Sequence, residues 1–396
     1  MKGKAFFFNK LIFIVVVLGF TIIPIANAGE LDVFGYFEPQ FVFLYQNGNS
    51  YQMNSDKLRI DLQSSASNVE FGADVIYNLY FGKKSWNILD FLPSEIVAEV
   101  PLEMRSYFRY TFNDTLYLDN VYVRMSNSRI ACTFGKQQIS LGTGYFSNPV
   151  DVFNLKDAMD PTYEQTGHNG VRLDIMLLNR TSIMFLYSPI ESDWNNSGKL
   201  FRLKVGLGHF DFVLTGYEFR DKSTDFYSAS VTNERRRLTG CEFVGEIFGL
   251  GVWGEGAYNL MEISDDFYEF LFGSDYTFET GLYVLFEYHR NERGETRYED
   301  YNINDWLRFY LGESKTINQD QIYALISYPV TDLINLQLMS IVSVSDGSAA
   351  VVPVVDYNIF ENVDLNVMGN IYMGSEGKVY NSKLGNGVVI RARAYF

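Results

Sequence analysis

In Leu58-Arg59-Ile60-Asp61-Leu62-Gln63 every second residue is apolar, and each residue between is polar or charged. Val171-Arg172-Leu173-Asp174-Ile175, Phe201-Arg202-Leu203-Lys204-Val205 and Ile390-Arg391-Ala392-Arg393-Ala394 repeat the pattern. Successive side chains of a strand point to opposite faces, so each segment has one apolar face and one charged face. A soluble β-sandwich alternates too, but two features weigh against one. Many segments reach ten residues or more, against about 5–6 for strands of globular proteins. The connections also sort by parity. They are tight near Ala66-Ser67-Asn68, Ser126-Asn127-Ser128, Asn179-Arg180, Gly206-Leu207-Gly208, Gly249, Phe278-Glu279-Thr280, Thr331-Asp332 and Glu361-Asn362. Between these they are long and polar, from Gly82 to Asn113, Gly142 to His168, Asp221 to Glu234, Asn291 to Ile317 and Gly374 to Gly387.

Short turns at one rim and long loops at the other are the organisation of a membrane-spanning barrel. A sheet in lipid has to close, because an open edge strands backbone groups without partners. The expectation is an all-β fold: a single transmembrane antiparallel β-barrel of about 18 strands, with 16 the alternative count. Short turns would face the periplasm and long loops the exterior. An even count puts both chain ends at the short-turn rim. Thr115 to Arg124 switches its apolar parity midway, which a β-bulge would explain.

At the N-terminus Lys2, Lys4 and Lys10 precede an apolar run from Leu11 to Ile25 and then Ala26-Asn27-Ala28. These are the parts of a secretory signal peptide. The chain is therefore expected to divide into a signal peptide, 1–28, and a barrel, 29–396. No later run approaches the 18 apolar residues of a helical span, although 47% of residues are hydrophobic and 16% aromatic. Tyr rings suit the membrane–water boundary, where the ring is half buried and its tip stays wet. The formal charge of −16 argues against a nucleic-acid partner. Cys132 and Cys241 fall on strands that are not neighbours and read as small wall residues, since a disulfide needs Cα atoms within about 7 Å.

The chain ends Gly387-Val388-Val389-Ile390-Arg391-Ala392-Arg393-Ala394-Tyr395-Phe396. A terminal aromatic after alternating apolar residues resembles the C-terminal signature of bacterial outer-membrane barrels, with Ala394 where many members carry an aromatic. Phe134-Gly135-Lys136-Gln137-Gln138-Ile139-Ser140-Leu141-Gly142, followed by Asn148-Pro149-Val150-Asp151-Val152-Phe153-Asn154, Lys156-Asp157 and Asp160-Pro161-Thr162, resembles porin-like barrels, including alginate-export-type and related families. The resemblance implies the cell outer membrane as the location. It also implies outer-membrane lipid and lipopolysaccharide as surroundings, and recognition of the last strand by the barrel-assembly machinery. In the trimeric and related porins the third long loop folds inward and narrows the pore. Here that loop is 142–168, so the resemblance implies Asp151, Lys156, Asp157, Asp160 and Glu164 as constriction candidates.

If apolar residues face lipid, Arg59, Arg172, Arg202, Lys204, Arg391 and Arg393 face the lumen. A Lys or Arg on the lipid face costs ~2–4 kcal/mol at the membrane midplane, so energy favours that orientation. Asp61, Asp174, Asp211, Glu242 and Glu246 read inward as well. Such charges could pair and hold the wall together, or set a field across the pore that filters solutes. His168, His209 and His289 lie in no metal-binding pattern, there is no CxxC, and no cofactor is expected. Gly249-Leu250-Gly251-Val252-Trp253-Gly254 matches a dinucleotide motif but opens no helix. A non-enzymatic channel for passive diffusion of small polar or charged solutes is the reading these features favour. The alternative is a pore for export or uptake of a charged polysaccharide or oligomer.

Overall fold

The computed structural model describes residues 30–189 and 193–396. The expected signal peptide lies outside the described residues. Among the described residues eighteen antiparallel strands form one closed sheet. The first six are β1 (Leu31–Gln46), β2 (Asn49–Ala66), β3 (Val69–Gly82), β4 (Thr115–Ser126), β5 (Ile130–Gln137) and β6 (His168–Leu178). Next come β7 (Thr181–Ser188), β8 (Gly198–Leu207), β9 (Phe210–Asp225), β10 (Ser230–Ile247), β11 (Leu250–Met261) and β12 (Phe267–Thr277). The last are β13 (Tyr283–Asn291), β14 (Asp320–Pro329), β15 (Ile334–Ser343), β16 (Ala349–Phe360), β17 (Val363–Tyr372) and β18 (Asn386–Tyr395). The all-β barrel and its strand number agree with the sequence reading. Among the described residues no helix is long and apolar enough to cross a membrane.

Closure runs from Tyr36↔Tyr395 to Tyr45↔Asn386, pairing β1 with β18. Phe396 extends that seam, because Gly35 and Phe396 exchange two backbone hydrogen bonds of 3.1 Å each. The bulge expected in β4 is present. Asp74 faces Asn120 and Val75 faces Leu118, which leaves Asp119 as the extra residue. A bulge re-aims the side chain it carries, and Asp119 is buried at 2% exposure.

One expected loop is shorter than the sequence suggested. Asp221 to Glu234 continues β9 and β10 to Asp225 and Ser230, closed by a turn at 226–229. Beyond the membrane both faces of a hairpin are wet, so its strands lose apolar alternation and read as loop. Asn47-Gly48 joins β1 to β2 on the same rim, with φ of 50° and 79°. Both residues then have the positive φ of a type I′ turn, whose twist matches a hairpin.

The other outer segments pack inward. Segment 83–114 contains helix α1 (Ser94–Glu99), and 292–319 contains helix α2 (Ile303–Tyr310), capped by Asn302. Leu92, Ile96 and Val100 of the first and Ile303, Trp306 and Leu307 of the second join Tyr323, Leu325, Ile341 and Val352 of β14–β16 in one buried cluster. The inner wall of β14–β17 is thus apolar on a face expected to be wet. Burying each large apolar side chain is worth ~1.5–3 kcal/mol, which outweighs leaving that wall hydrated. Water-accessible space is pushed toward the remaining strands.

Candidate functional site

Strand pairing places Arg59, Asp61, Arg172, Asp174, Arg202, Lys204, Glu242, Arg391 and Arg393 on the inner side of the sheet. Each takes a partner of opposite charge. Arg59 lies 2.7 Å from Asp61 and 2.9 Å from Asp74. Arg172 lies 2.9 Å from Asp174, and Arg202 lies 2.5 Å from Glu242. Lys204 lies 2.8 Å from Asp211, which Arg180 also reaches at 2.6 Å. Glu246 is on the same side of β10 as Glu242 but exposed near the periplasmic end. The cysteines are free: Cys241 is exposed and Cys132 half-buried.

Segment 138–167 packs Ile139, Leu141 and Val150 on Leu186, Leu200, Tyr217 and Leu238, and charged wall residues hold it at two further places. Near its start, residues 143–150 wrap two wall carboxylates. Glu255 of β11 accepts hydrogen bonds from the Thr143 and Gly144 backbone N–H groups, the latter at 2.6 Å, and from Asn148 Nδ2 at 2.9 Å. Glu287 of β13 accepts from the N–H groups of Tyr145 (2.7 Å), Phe146 (3.1 Å) and Ser147 (3.2 Å), and from Trp253 Nε1 (2.9 Å). Both glutamates are under 5% exposed. A buried carboxylate without such donors is very costly, so the loop backbone replaces the water each would otherwise need. Gly142 makes the approach possible. Its φ is +89°, and a Cβ there would come within 2.5 Å of the Glu255 carboxylate. Phe146 stacks on Tyr323 at 4.8 Å, fastening this end to the apolar wall.

At the far end the segment meets β18, β1 and β2. Glu164 accepts from Tyr36 Oη at 2.6 Å, Lys57 Nζ at 3.0 Å and Arg59 Nη1 at 3.2 Å. Asp160 lies 2.8 Å from Arg391. Tyr163 donates to Glu38 at 2.8 Å, and Glu38 also accepts from Arg393 at 2.6 Å. Three other candidates on the loop serve it differently. Asp151, 1% exposed, accepts from Leu141, Phe153 and Asn154 N–H groups of its own segment. Lys156 donates to the Gly144 and Tyr145 carbonyls at 2.6 and 3.1 Å, and burial holds its ammonium below the usual lysine range. Asp157 accepts from the Met159 N–H at 2.9 Å.

Burial alone would push the Glu164 carboxyl up, but the Tyr36 hydroxyl, Lys57 and Arg59 outweigh it and hold it below its ordinary 4.5. A depressed folded value stabilises attachment above the ordinary value, and that stabilisation is lost as pH falls through the lower, folded one. The attachment should therefore survive acidification to pH 4.5 and fail only below it. Channel noise recorded against pH checks this. Glu164→Gln should show at pH 7 the noise that the parent shows only in acid. Identical records for the two proteins across that range would refute the role given to Glu164.

Glu38, Lys57, Asp119, Glu255 and Glu287 complete the site and were not among the residues singled out from sequence. The two glutamates carried a usable signal. Glu255 stands at an inward position between Trp253 and Ala257, and Glu287 follows Leu285 on the inward row, with no Lys or Arg on its own strand at the next inward position.

Two cavities flank the loop. One, of about 760 Å³, opens on the outer side and is lined by Asp151, Tyr217, Arg236, Phe267, Arg293 and Lys315 among others. A smaller one, of about 310 Å³, lies toward the periplasm among Arg59, Asp74, Arg124, Gln137 and Arg172.

Three solved structures from Acinetobacter baumannii share the fold over almost their full length. OccAB4 matches with a TM-score of 0.57 at 9% identity, over 93% of this chain and 98% of that one. OccAB1 gives 0.57 at 11%, over 92% and 96%. OccAB3 gives 0.52 at 10%, over 93% and 99%. No protein-family model and no curated protein matches the sequence. At these identities the likeness is one of fold. That fold is a closed antiparallel β-barrel of 18 strands.

Proposed function

We propose that the barrel is a diffusion channel for small polar and charged solutes, narrowed by the loop 142–168. The observation that carries this reading is the anchoring of that loop at two separate parts of the wall: Glu255 and Glu287 on one side, and Lys57, Arg59, Arg391 and Arg393 on the other. Solute would enter the outer cavity, pass the narrowed zone beside Gln137 and His168, and leave along the Arg59–Arg124–Arg172 wall. Pairing neutralises most wall charges. Arg124, which is exposed, and Arg172 and Lys204, with side chains 34% and 47% exposed, are cations available to passing solute.

A second reading, passage of an acidic oligosaccharide, is favoured by the outer cavity itself. Arg236 and Arg293 lie 4.9 and 4.2 Å from the Phe267 ring, which puts an aromatic surface beside two cations.

Planar-bilayer recording of the purified barrel tests the first reading. Ohmic current in potassium chloride is the expected result, and acidic oligosaccharides should block it no better than monosaccharides. Strong block by the oligomers alone would favour the second reading. A folded barrel, verified by its heat-dependent gel mobility, that carries no current would overturn both.

A further inference from the structure

The outer face of β7–β10 carries a feature that solute passage does not use. Near the outer end of these strands one outward row reads Tyr187, Lys199, Glu218 and Arg237, each paired with the next across the sheet. Glu218 is shared, 3.0 Å from Lys199 and 2.9 Å from Arg237. One row further out, Arg220 pairs with Arg235, and Arg220 lies 3.0 Å from Glu262. In these two rows Lys199, Arg220, Arg235 and Arg237 outnumber Glu218 and Glu262. The Arg237 side chain is 58% exposed, and Arg235 Nε is buried with no hydrogen-bond partner. A cationic excess stands out on a chain whose net charge is −16.

Directly below these rows, toward the membrane centre, lies an apolar groove of about 420 Å³ lined by Val171, Leu173, Phe185, Phe201 and Trp194. Gly216 opens it. It faces Phe201 across the strand pair, and a Cβ at this position would meet nothing within 4 Å. Trp194 stacks on Tyr187 at 5.2 Å, and Lys199 Nζ sits 4.9 Å from the Trp194 ring, joining the groove to the cations above.

A hydrocarbon slot in the lipid-facing wall, topped at the external rim by cations of which Arg237 is the most exposed, complements an amphiphile with a hydrocarbon chain and an anionic head. At that rim of an outer membrane, such molecules are the acylated phosphoglycolipids of the outer leaflet. We propose that β7–β10 bind one bis-phosphorylated, lipid-A-type molecule. An acyl chain lies over Gly216 between Phe185 and Phe201, and a phosphate sits on Arg237, Lys199 and Arg235. Charge-assisted contacts to phosphate are the strong kind, and a partly desolvated surface strengthens them. The inference rests on the outer-membrane placement and is independent of what the pore carries.

Native mass spectrometry of the whole barrel in detergent tests it, with hexa-acylated bis-phosphoryl lipid A, its dephosphorylated form, phosphatidylglycerol and inorganic phosphate as probes. One lipid A should stay bound to the parent protein. Lys199→Glu with Arg237→Glu should lower occupancy at least tenfold, and Gly216→Trp should do the same by filling the groove. Lys199→Arg with Arg237→Lys should retain the lipid, as should Leu338→Trp on the outer face of β15. Heat-dependent mobility shows which variants are folded, and the charge-reversed pair should conduct like the parent. Equal binding of dephosphorylated lipid A or phosphatidylglycerol, displacement by inorganic phosphate alone, or unchanged binding by the folded charge-reversed pair would each overturn the site.

Discussion

Replacing Glu255 and Glu287 together by alanine is expected to raise single-channel conductance severalfold while leaving the barrel closed. The two carboxylates take eight hydrogen bonds of 2.6–3.4 Å from loop and wall donors, besides the short one from the Thr143 N–H. A hydrogen bond to a charged group is worth ~1.5–3 kcal/mol net, and a buried donor left without an acceptor costs ~1–3 kcal/mol. In the alanine pair the Gly144, Tyr145, Phe146 and Ser147 N–H groups lose their acceptors at once. The docked loop then has to hydrate that backbone in place or move out into water. Even ~3 kcal/mol of lost docking energy changes the docked-to-free ratio by about a hundredfold. The strand ladders do not run through these side chains, so the barrel persists and the pore widens. Glu255→Gln with Glu287→Gln keeps an acceptor oxygen at each position and should fall between. Planar-bilayer conductance reads the effect, with gel mobility as the check on folding. A folded alanine pair with the parent's conductance and noise would mean that the loop does not limit the current.

Much of the barrel was legible because a period of two and a lipid boundary are strong constraints. Arg391 and Arg393 could face only inward, and the β18–β1 pairing follows from that orientation together with an even strand count. The bulge at Asp119 was legible as a break in parity. The apolar inner wall of β14–β17 was not. Ala349-Ala350-Val351-Val352-Pro353-Val354-Val355 is apolar on both faces, and alternation cannot tell a lipid-facing strand from one covered inside by loops. What covers it, including Trp306 and Leu92, comes from segments far away in sequence, and no local pattern encodes that encounter. The loop candidates divide on the same ground. Asp160 and Glu164 meet wall cations, as a charge-complementarity argument anticipates. Asp151 and Lys156 satisfy their own segment's backbone instead, because a loop packed inside a barrel has to pair its own polar groups.

Reversing Arg391 and Arg393 to glutamate separates the two meanings of the charged wall. Arg391 holds Asp160 at 2.8 Å and Gln40 at 3.0 Å, and Arg393 holds Glu38 at 2.6 Å with Glu164 at 3.5 Å. Their guanidinium groups also lie 4.5 Å from the Tyr163 ring and 4.2 Å from the Tyr36 ring, respectively. In the variant, two new carboxylates would face Glu38, Asp160 and Glu164 across the same space. Removing one partner of a buried ion pair costs ~3–5 kcal/mol, and here repulsion adds to that loss. The far end of the loop should therefore detach. Selectivity should move toward cations, because the freed Asp160 and Glu164 and the new glutamates all stand beside the path. Arg391→Lys with Arg393→Lys keeps both charges but loses the planar two-pronged geometry. It should preserve the sign of selectivity while making the current noisier. Reversal potentials in a salt gradient measure the first effect, and open-channel noise measures the second. If the glutamate pair kept the parent's reversal potential, the wall charges would serve to hold the loop and barrel together and would not filter solute.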